Sequence, residues 1–500
     1  MKLSAMAVWA AAAIALPVLF GVALTCVVHP LSVAAFAAFF GFIYSVRRYR
    51  LEKRVFLAAF PLMVVLQCVA GWSLAVDGAL WDMKNVVDGA RALASGGPVS
   101  GYFYRYPNNL PVLFLFASVF RLSDLLFGST SPFFLTGLNM FLVDASVVLV
   151  MLLVGRLKSE RAGWLAGAVM LFFAPFYLFI PILYTDALAL FFVALGLYYA
   201  ARLEELWRSP DMRLVKQCGA SVLGGLVFAC GFLVKGSPAI VMMAFCVQMF
   251  CRFTVRKGAI AVALVLAGFF AGVCGWSVAI DSSGLISKEK LDAEKYPLES
   301  WVMMGLGKGN FGDCGAFSSK DYQYMKSLPT YAEKKTAARR EFVRRVRDFG
   351  FVGLVVHVAK KVKFTWTMPT CAAEWYLSSD RRLPVERKGV RSFVLDGVDV
   401  DGPDLLRRRM FRACCRGVFL FIVLFSVFHY WAMLRDHDFG MQTLVVALTF
   451  VGGVLFFAIW ECHPRYTFHL MPTMLAMAAQ SFAGKLKESD KLRQNRLCCS

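Results

Sequence analysis

A polar segment at positions 77–110 separates two long apolar runs and carries the residue types that acid–base chemistry needs. Its first acids are Asp77 and Asp82. A carboxylate can act as a general base towards a hydroxyl group. An acid at this position can also cap a helix, and the sequence predicts a helix over 79–94 that ends at Gly96. The two roles are compatible, so both carboxylates are candidate catalytic residues.

The second half of this segment has a guanidinium group and two amides around a proline. The residues are Arg105, Tyr106, Asn108 and Asn109. A guanidinium can hold a phosphate and stabilise it as a leaving group, and amide side chains can bind sugar hydroxyls or a phosphate. The structural alternative is a plain turn that starts a helix, with Pro111 near its first position.

Short polar turns interrupt three other apolar regions, beginning at Tyr184, Lys235 and Glu461. Ionisable groups at membrane depth are costly and commonly mark functional sites. The structural alternatives are a capped turn, a snorkelling lysine and a self-paired Glu–Arg turn. The candidate residues from these turns are Asp186, Lys235, Glu461, His463, Arg465 and Tyr466. His463 has no second His or Cys at ligand spacing, so no cofactor is identified and a divalent metal stays open.

The composition places these residues in a membrane protein. The chain has 500 residues, of which 59% are hydrophobic and 17% are charged. Backbone groups in lipid must be satisfied within the segment, so the spans are predicted to be helices. The net charge of +21 comes largely from Lys and Arg beside apolar runs, where such residues fix membrane orientation. No zinc-finger spacing or basic helix with aromatic platforms is present, so nucleic acid is not an expected partner.

The expected fold class is an all-α polytopic membrane protein with about twelve crossings. The predicted spans are 7–28, 31–46, 56–76, 132–154, 162–183, 187–201, 219–234, 238–251, 258–280, 413–433, 440–460 and 467–484. Basic clusters fall on one side if both termini are cytoplasmic and the apolar run 111–127 does not cross. We therefore expect 111–127 to be a re-entrant or interfacial helix. The candidate residues then share the opposite, extracytoplasmic face.

The same topology predicts three regions. They are an N-terminal membrane domain at 1–280 with a first outer loop at 77–131, an extracytoplasmic cap at 281–412, and C-terminal membrane helices with a basic cytoplasmic tail at 413–500. Long translocated loops are largely exempt from the positive-inside rule, so the basic residues of the cap do not contradict this arrangement.

At these residues the chain resembles the polyprenyl-phosphate-sugar-dependent membrane glycosyltransferases of the GT-C fold, and above all the bacterial branch related to protein O-mannosyltransferases and glycosyltransferase family 39. The resemblance rests on Asp82 near the start of a helix in the first outer loop, on Tyr106-Pro107-Asn108-Asn109, on Tyr184-Thr185-Asp186 and on the Glu461–Tyr466 turn. Many relatives have Asp-Glu at the loop position, whereas Met83 follows Asp82 here. That departure leaves open whether Asp82 or Asp77 is the base and whether a metal is required.

The resemblance implies a GT-C-like bundle with re-entrant or juxtamembrane helices, and sugar transfer at the extracytoplasmic face. The donor would be a polyprenyl-phosphate-linked sugar, and the acceptor a glycan, lipid or protein. Asp82 would be an inverting general base, and Arg465, Lys235 and Arg105 would bind the donor phosphate. The residues expected to position sugar or acceptor are Tyr106, Asn108, Asn109, Asp186, Glu461, His463 and Tyr466, with Trp301, Lys308, Trp366 and Glu374 shaping the acceptor cleft.

Two other functions and a non-enzymatic membrane scaffold are the alternatives to this interpretation. A transporter or flippase for a lipid-linked saccharide would have paired half-chains with broken helices at the midplane, and no such halving is evident. A lipid-linked oligosaccharide ligase or polymerase would use a polyprenyl-diphosphate donor. A bacterial plasma membrane is preferred over an ER membrane because no C-terminal retention signal is present.

Overall fold

A computed structural model describes residues 3–75, 81–377, 388–395 and 403–497. The described residues form helices and turns, with a single isolated bridge between Gly309 and Gly312. The first ten helices are α1 Leu3–Val27, α2 Pro30–Arg48, α3 Glu52–Ser73, α4 Trp81–Ala94, α5 Gly101–Arg105, α6 Leu110–Phe127, α7 Phe133–Leu157, α8 Glu160–Met170, α9 Pro175–Leu178 and α10 Thr185–Arg208. They are followed by α11 Leu214–Val234, α12 Ala239–Arg252, α13 Val255–Ser282, α14 Lys288–Glu294, α15 Glu299–Gly305, α16 Ser319–Ser327, α17 Tyr331–Trp366, α18 Ala373–Leu377, α19 Lys388–Val394, α20 Pro403–Arg435, α21 His437–Ile459 and α22 Met471–Leu497. Short 3-10 helices at Pro107–Asn109 and Pro464–Leu470 precede α6 and α22.

The prediction of an all-α polytopic membrane protein is confirmed. Ten helices in the described part of the chain are long and apolar enough to cross a membrane, compared with about twelve predicted crossings. The ten include Pro107–Phe127, which was expected not to cross. They omit the predicted runs 162–183, 238–251 and 467–484. Ala239–Arg252 is a shorter apolar helix, and the last run begins with the 3-10 helix Pro464–Leu470.

The run 162–183 is a broken, buried element, so its prediction as a regular span was wrong. Pro175 and Pro181 lie within it, and proline removes a helical hydrogen bond and clashes with the preceding turn. Regular helix stops at Met170 except for the single turn Pro175–Leu178, and most residues of 171–184 are buried. The segment therefore packs inside the bundle, where its free carbonyl groups need protein donors.

Two amide side chains from neighbouring helices supply those donors. Asn139 Nδ2 of α7 donates to the carbonyl oxygens of Ile180 at 3.2 Å and of Ile182 at 2.9 Å. Gln67 Nε2 of α3 donates to the carbonyl oxygen of Phe176 at 3.3 Å. These hydrogen bonds fix the irregular chain that leads into α10.

Replacing Asn139 with leucine is expected to lower the stability of the detergent-solubilised protein by about 1–3 kcal/mol, because buried carbonyl groups lose their donor. The measurement is the thermal unfolding midpoint. Phe141→Leu is the matched control, since Phe141 lies on the same helix with its side chain exposed. Equal unfolding midpoints for the two variants would contradict the role of Asn139 as the donor to these buried carbonyl groups.

The helix α6 packs mainly against α4. Arg121, in the middle of its apolar sequence, reaches back to α4 and donates from Nη2 to the carbonyl oxygen of Leu93 at 3.2 Å. A helix C-terminus carries unpaired carbonyl groups, and a basic side chain there is favourable. Arg121 therefore has polar partners at the end of α4, and the interfacial position of 111–127 stays a prediction.

The described part of the region between α13 and α20 is largely helical, and we call this region the cap. Its small apolar core is formed by Tyr296, Met303, Met304, Met325, Ala337 and Ala338. The long helix α17 joins it to the membrane bundle by packing against α21 and against the 3-10 helix Pro464–Leu470. The helix α13 ends at Ser282 and α20 begins at Pro403. The predicted domain boundaries are 280 and 413, and the division into domains stays a prediction.

Candidate active site

Five chain segments meet where the cap joins the bundle. They are the start of α4, the 102–109 turn, the start of α10, the loop between α11 and α12, and the 461–470 turn before α22. The helix α10 is mostly buried and packs against α7, α11 and α12. Because α10 is central, its first turn brings Asp186 to the point where the other segments converge.

Asp82 stands at the first turn of α4 and is partly exposed. Tyr102 Oη donates to Asp82 Oδ1 at 2.8 Å. Asn109 Nδ2 donates to Tyr102 Oη at 2.7 Å, and Tyr184 Oη donates to Asn109 Oδ1 at 3.1 Å. This chain of hydrogen bonds orients the Asp82 carboxylate, and none of the described side chains bonds its second oxygen. Trp81 before it adopts a left-handed backbone with φ of 61°, a conformation that costs energy outside glycine.

A buried ion triad lies on the other side of the site. Asp186 is fully buried, and its two carboxylate oxygens accept from Lys235 Nζ at 2.9 Å and from Arg465 Nη1 at 3.1 Å. Asp186 carries one negative charge, whereas Lys235 and Arg465 each carry one positive charge, so the three side chains together have a net charge of +1. Buried charges are costly unless they are paired, so Asp186 holds both cations in place, and an excess of positive charge remains for an anion.

Arg465 lies in a cage of aromatic rings. Its guanidinium carbon is 4.1 Å from the ring centre of Tyr376, 5.0 Å from that of Tyr184 and 5.5 Å from that of Tyr466. Contacts of a guanidinium with ring faces are favourable. Its Nε is buried and has no hydrogen-bond partner among the described residues. A buried donor without an acceptor is unusual in a folded protein, and a ligand oxygen would satisfy it.

Tyr376 connects the acid and the cation. Burial raises the pKa of its hydroxyl, the charge of Arg465 lowers it and the charge of Asp82 raises it again. Both charges therefore act on one side chain. Tyr376 also packs edge-on against Trp81, with ring centres 5.1 Å apart. Tyr376 thus packs both on the Arg465 guanidinium and on Trp81, the residue before Asp82.

Glu461 and Tyr466 complete the wall beside Arg465. Tyr466 Oη donates to Glu461 Oε2 at 3.1 Å, and Lys235 Nζ is 4.9 Å from the centre of the Tyr466 ring. The Glu461 backbone N–H donates to the carbonyl oxygen of Trp301 at 3.1 Å, which ties this turn to the cap. Burial raises the pKa of the Glu461 carboxyl to about 7.

The raised pKa of Glu461 predicts a pH-dependent stability. Between an ordinary pKa of 4.5 and about 7 the folded chain keeps a proton that the unfolded chain has released, so stability falls as pH rises through this window and is flat above it. Glu461→Gln is expected to remove this decline in a series of thermal midpoints against pH. Glu333→Gln, at an exposed acid of the cap, should keep it. If the decline persists in Glu461→Gln, it arises from another group.

The other sequence-predicted residues lie in different places relative to Asp82 and Arg465. Tyr106 lies in the wall towards the cap, 5.0 Å from Tyr102 and 5.9 Å from Trp301 between ring centres. Arg105 is on the cap side, where its carbonyl oxygen accepts from Tyr296 N at 3.1 Å. Their predicted roles stay predictions.

The two neighbouring asparagines differ in exposure. Asn109 is buried in the hydrogen-bond chain, whereas Asn108 is exposed and donates to Asn109 Oδ1 at 3.3 Å. Asn109 therefore positions Tyr102, and only Asn108 has an amide that faces solvent. Asp77 lies outside the described residues.

His463 caps the 3-10 helix that carries Arg465. Its Nδ1 accepts from the Arg465 backbone N–H at 3.2 Å, and its ring packs among Phe311, Phe364 and Trp375. Burial lowers the pKa of His463 to about 3, so the ring is neutral. In this structure it orients the turn, and its predicted contact with substrate stays a prediction.

The predicted residues of the cap also differ in position. Trp301 faces Tyr106, and Lys308 is highly exposed near Asp313. Trp366 is buried against Phe450, with ring centres 5.0 Å apart. Glu374 lies in α18 just before Tyr376. Only Trp301 and the α18 segment are therefore next to the cluster that contains Asp82.

Sequence reasoning missed Tyr102, Tyr376 and the buried pair of Ser237 and His469, whose Oγ and Nε2 are 2.7 Å apart. This pair joins the Lys235 loop to the turn that carries Arg465. Tyr102 begins the aromatic-rich sequence before Arg105, which is a signal for it. The other three have no local pattern that marks them.

The carboxylates and histidines are not arranged as a metal centre in the part of the chain that is described. Within it, no group of three or more His, Cys, Asp or Glu side chains could hold a metal ion. Asp186 has both oxygens occupied by cations, as given above.

Comparison with solved structures finds archaeal oligosaccharyltransferases. The apo form of the Archaeoglobus fulgidus enzyme aligns at 14% identity with a TM-score of 0.48, covering 90% of this chain and 52% of that chain. The form tethered to an acceptor peptide aligns at 13% identity, covering 85% and 49%, with a TM-score of 0.43. The AglB complex with an inhibitory peptide and a dolichol-phosphate aligns at 12% identity, covering 87% and 51%, also at 0.43. The present chain spans about half the length of these structures.

Sequence comparison gives the family. No curated protein matches the chain significantly. A family described as "Conserved hypothetical integral membrane protein" matches residues 7–485, nearly the whole sequence. This match agrees with the apolar helices of the fold, and the chain belongs to that family of integral membrane proteins.

Proposed function

We propose that this protein is a membrane glycosyltransferase that transfers a sugar from a polyprenyl-phosphate donor to an acceptor hydroxyl group. The observation that carries the proposal is the buried Arg465 guanidinium, which shares Asp186 with Lys235 and keeps an unpaired Nε. The guanidinium lies over Tyr184, which begins the hydrogen-bond chain through Asn109 and Tyr102 to Asp82. A phosphate oxygen is a strong acceptor for such a donor. A carboxylate close to an anion site is what an inverting sugar transfer needs.

In the proposed reaction the acceptor oxygen attacks the anomeric carbon on the face opposite the phosphate. The new bond joins the acceptor oxygen to the anomeric carbon, and the bond from that carbon to the phosphate oxygen breaks. Asp82 takes the hydroxyl proton, and Tyr102 holds the carboxylate by its donated hydrogen bond. Polyprenyl phosphate leaves with its new negative charge stabilised by Arg465 and Lys235.

The remaining predicted residues have supporting roles in this proposal. Asn109 fixes Tyr102, and Asp186 fixes the two cations. Asn108 and Tyr106 face the cap side of the site, where an acceptor glycan, lipid or protein would approach. Arg105 is a further candidate for phosphate. The basic loops support an extracytoplasmic position of the site, and the membrane proposed is a bacterial plasma membrane.

The test is sugar transfer by the purified protein in lipid nanodiscs. A panel of radiolabelled polyprenyl-phosphate sugars is offered with membrane extracts as the source of acceptor, and released polyprenyl phosphate is measured together with labelled product. Consumption of one monophosphate donor is the expected result. Exclusive use of a diphosphate donor would favour a ligase or polymerase. Movement of the lipid-linked saccharide across the bilayer without cleavage would favour a flippase, and either outcome would overturn the proposal.

A further inference from the structure

The long cap helix α17 consists of two unlike halves. Gly350 breaks it with a left-handed backbone at φ 57° and ψ −178°. Before the break the helix is polar and paired: Arg339 bonds Glu299 at 2.8 Å, and Arg345 bonds Asp321 at 2.7 Å. These pairs hold the first half against the other cap helices.

After Gly350 the helix exposes a compact apolar face. The exposed fractions are 83% for Phe351, 73% for Val352, 55% for Val355 and 48% for Val356. Scattered exposed apolar residues are ordinary on a protein surface, but four within two turns form a patch. In water such a patch would be unfavourable, so it indicates a surface that is covered.

The far end of the same half is fixed against a membrane helix. Trp366 packs on Phe450, which lies well inside the candidate span that ends at Ile459. Lys361 Nζ donates to the carbonyl oxygen of Trp460 at 2.8 Å. Lys361 is thus close to the end of α21, and Val356 precedes Lys361 by about 8 Å along the helix axis.

Exposed cations flank the apolar face. Arg347 precedes it, and Lys360 and Lys363 follow it. None of the three has an ion-pair partner among the described side chains. Basic residues at both ends of an apolar helical face are typical of helices that lie in the lipid interface, where they contact anionic headgroups.

We infer that the half of α17 after Gly350 lies in the lipid interface of the leaflet where α21 ends, with Phe351, Val352, Val355 and Val356 among acyl chains. Lys360, Lys363 and Arg347 contact the phosphates of the headgroups. The bilayer surface thereby supports a helix that contacts the candidate site, because Lys361 of the same half bonds the carbonyl oxygen of Trp460 next to Glu461, and α17 packs against the 3-10 helix that carries Arg465. This surface does not depend on the reaction at Asp82.

The test is photo-crosslinking of the full chain in nanodiscs. A benzophenone amino acid replaces Val352 or Val355, and lipid adducts are measured by mass spectrometry. Position 141 on α7, exposed within a candidate span, is the positive control, and position 340 on the first half of α17, also exposed, is the negative control. The expected yield at 352 and 355 is comparable with that at 141 and several-fold above that at 340.

A yield at 352 and 355 no greater than at 340 would overturn the inference, as would adducts to another protein in native membranes in place of lipid.

A second measurement compares nanodiscs with and without phosphatidylglycerol. Anionic lipid is expected to be enriched several-fold in the adducts at 352, and Lys360→Gln with Lys363→Gln is expected to abolish the enrichment. If the enrichment of anionic lipid survives when both lysines are replaced, the assigned headgroup contacts are wrong. Neither result depends on glycosyltransferase activity, so failure here and failure of the proposed function are distinguishable.

Discussion

Replacing Asp82 with asparagine is expected to lower sugar transfer by about 10²-fold or more, because the amide cannot accept the proton of the acceptor hydroxyl group. The side chain keeps its size, and its oxygen can still accept the hydrogen bond from Tyr102. The fold and donor binding should therefore survive. The measurement is the single-turnover rate of transfer at saturating donor, together with the donor concentration that gives half the maximal rate.

Asp88→Asn is the matched control on the same helix. Asp88 bonds Lys84 at 2.6 Å, and both side chains are about half exposed, so this pair contributes little to stability. Transfer by Asp88→Asn should equal that of the unmodified chain. If Asp82→Asn also keeps its rate, the base lies elsewhere, and Asp77 is the next acid to replace.

Replacing Asp186 with asparagine is expected to lower the free energy of unfolding by about 3–5 kcal/mol, because two cations then remain without their shared carboxylate. Asp186 is fully buried, and Arg465 is almost so. The measurement is the midpoint of thermal or denaturant unfolding in detergent. Donor binding should weaken as well, since both cations lose their fixed positions.

The double variant Asp186→Asn with Lys235→Gln tests the electrostatic cause. It leaves one buried cation in place of two, so it should be more stable than Asp186→Asn alone. The single variant Lys235→Gln completes the comparison. If the loss of unfolding free energy in the double variant equals the sum of the two single losses, Asp186 acts through packing and not through the shared ion pair, because coupled neighbours are expected to be non-additive.

Much of this molecule follows from local sequence. Apolar runs long enough to cross lipid determine the membrane class and most helix positions, because each helix must satisfy its own backbone. Polar turns within those runs make Asp186, Lys235 and Arg465 candidate site residues, because ionisable groups are costly there. Asp82 is a candidate because it lies in the polar segment between two such runs. The prolines at 175 and 181 also carried a signal that the run 162–183 could not be a regular helix.

Only the tertiary structure decides which of these groups meet. Asp186 and Arg465 are 279 positions apart, and no local pattern shows that one carboxylate serves both Arg465 and Lys235. Tyr376 joins the site from the cap for the same reason: its neighbours come from distant segments. Asn139 and Gln67 are buried amides whose partners exist only once α3 and α7 pack around the broken segment. Composition and periodicity act along the chain, whereas pairing, burial and the unsatisfied Nε of Arg465 arise from packing between helices.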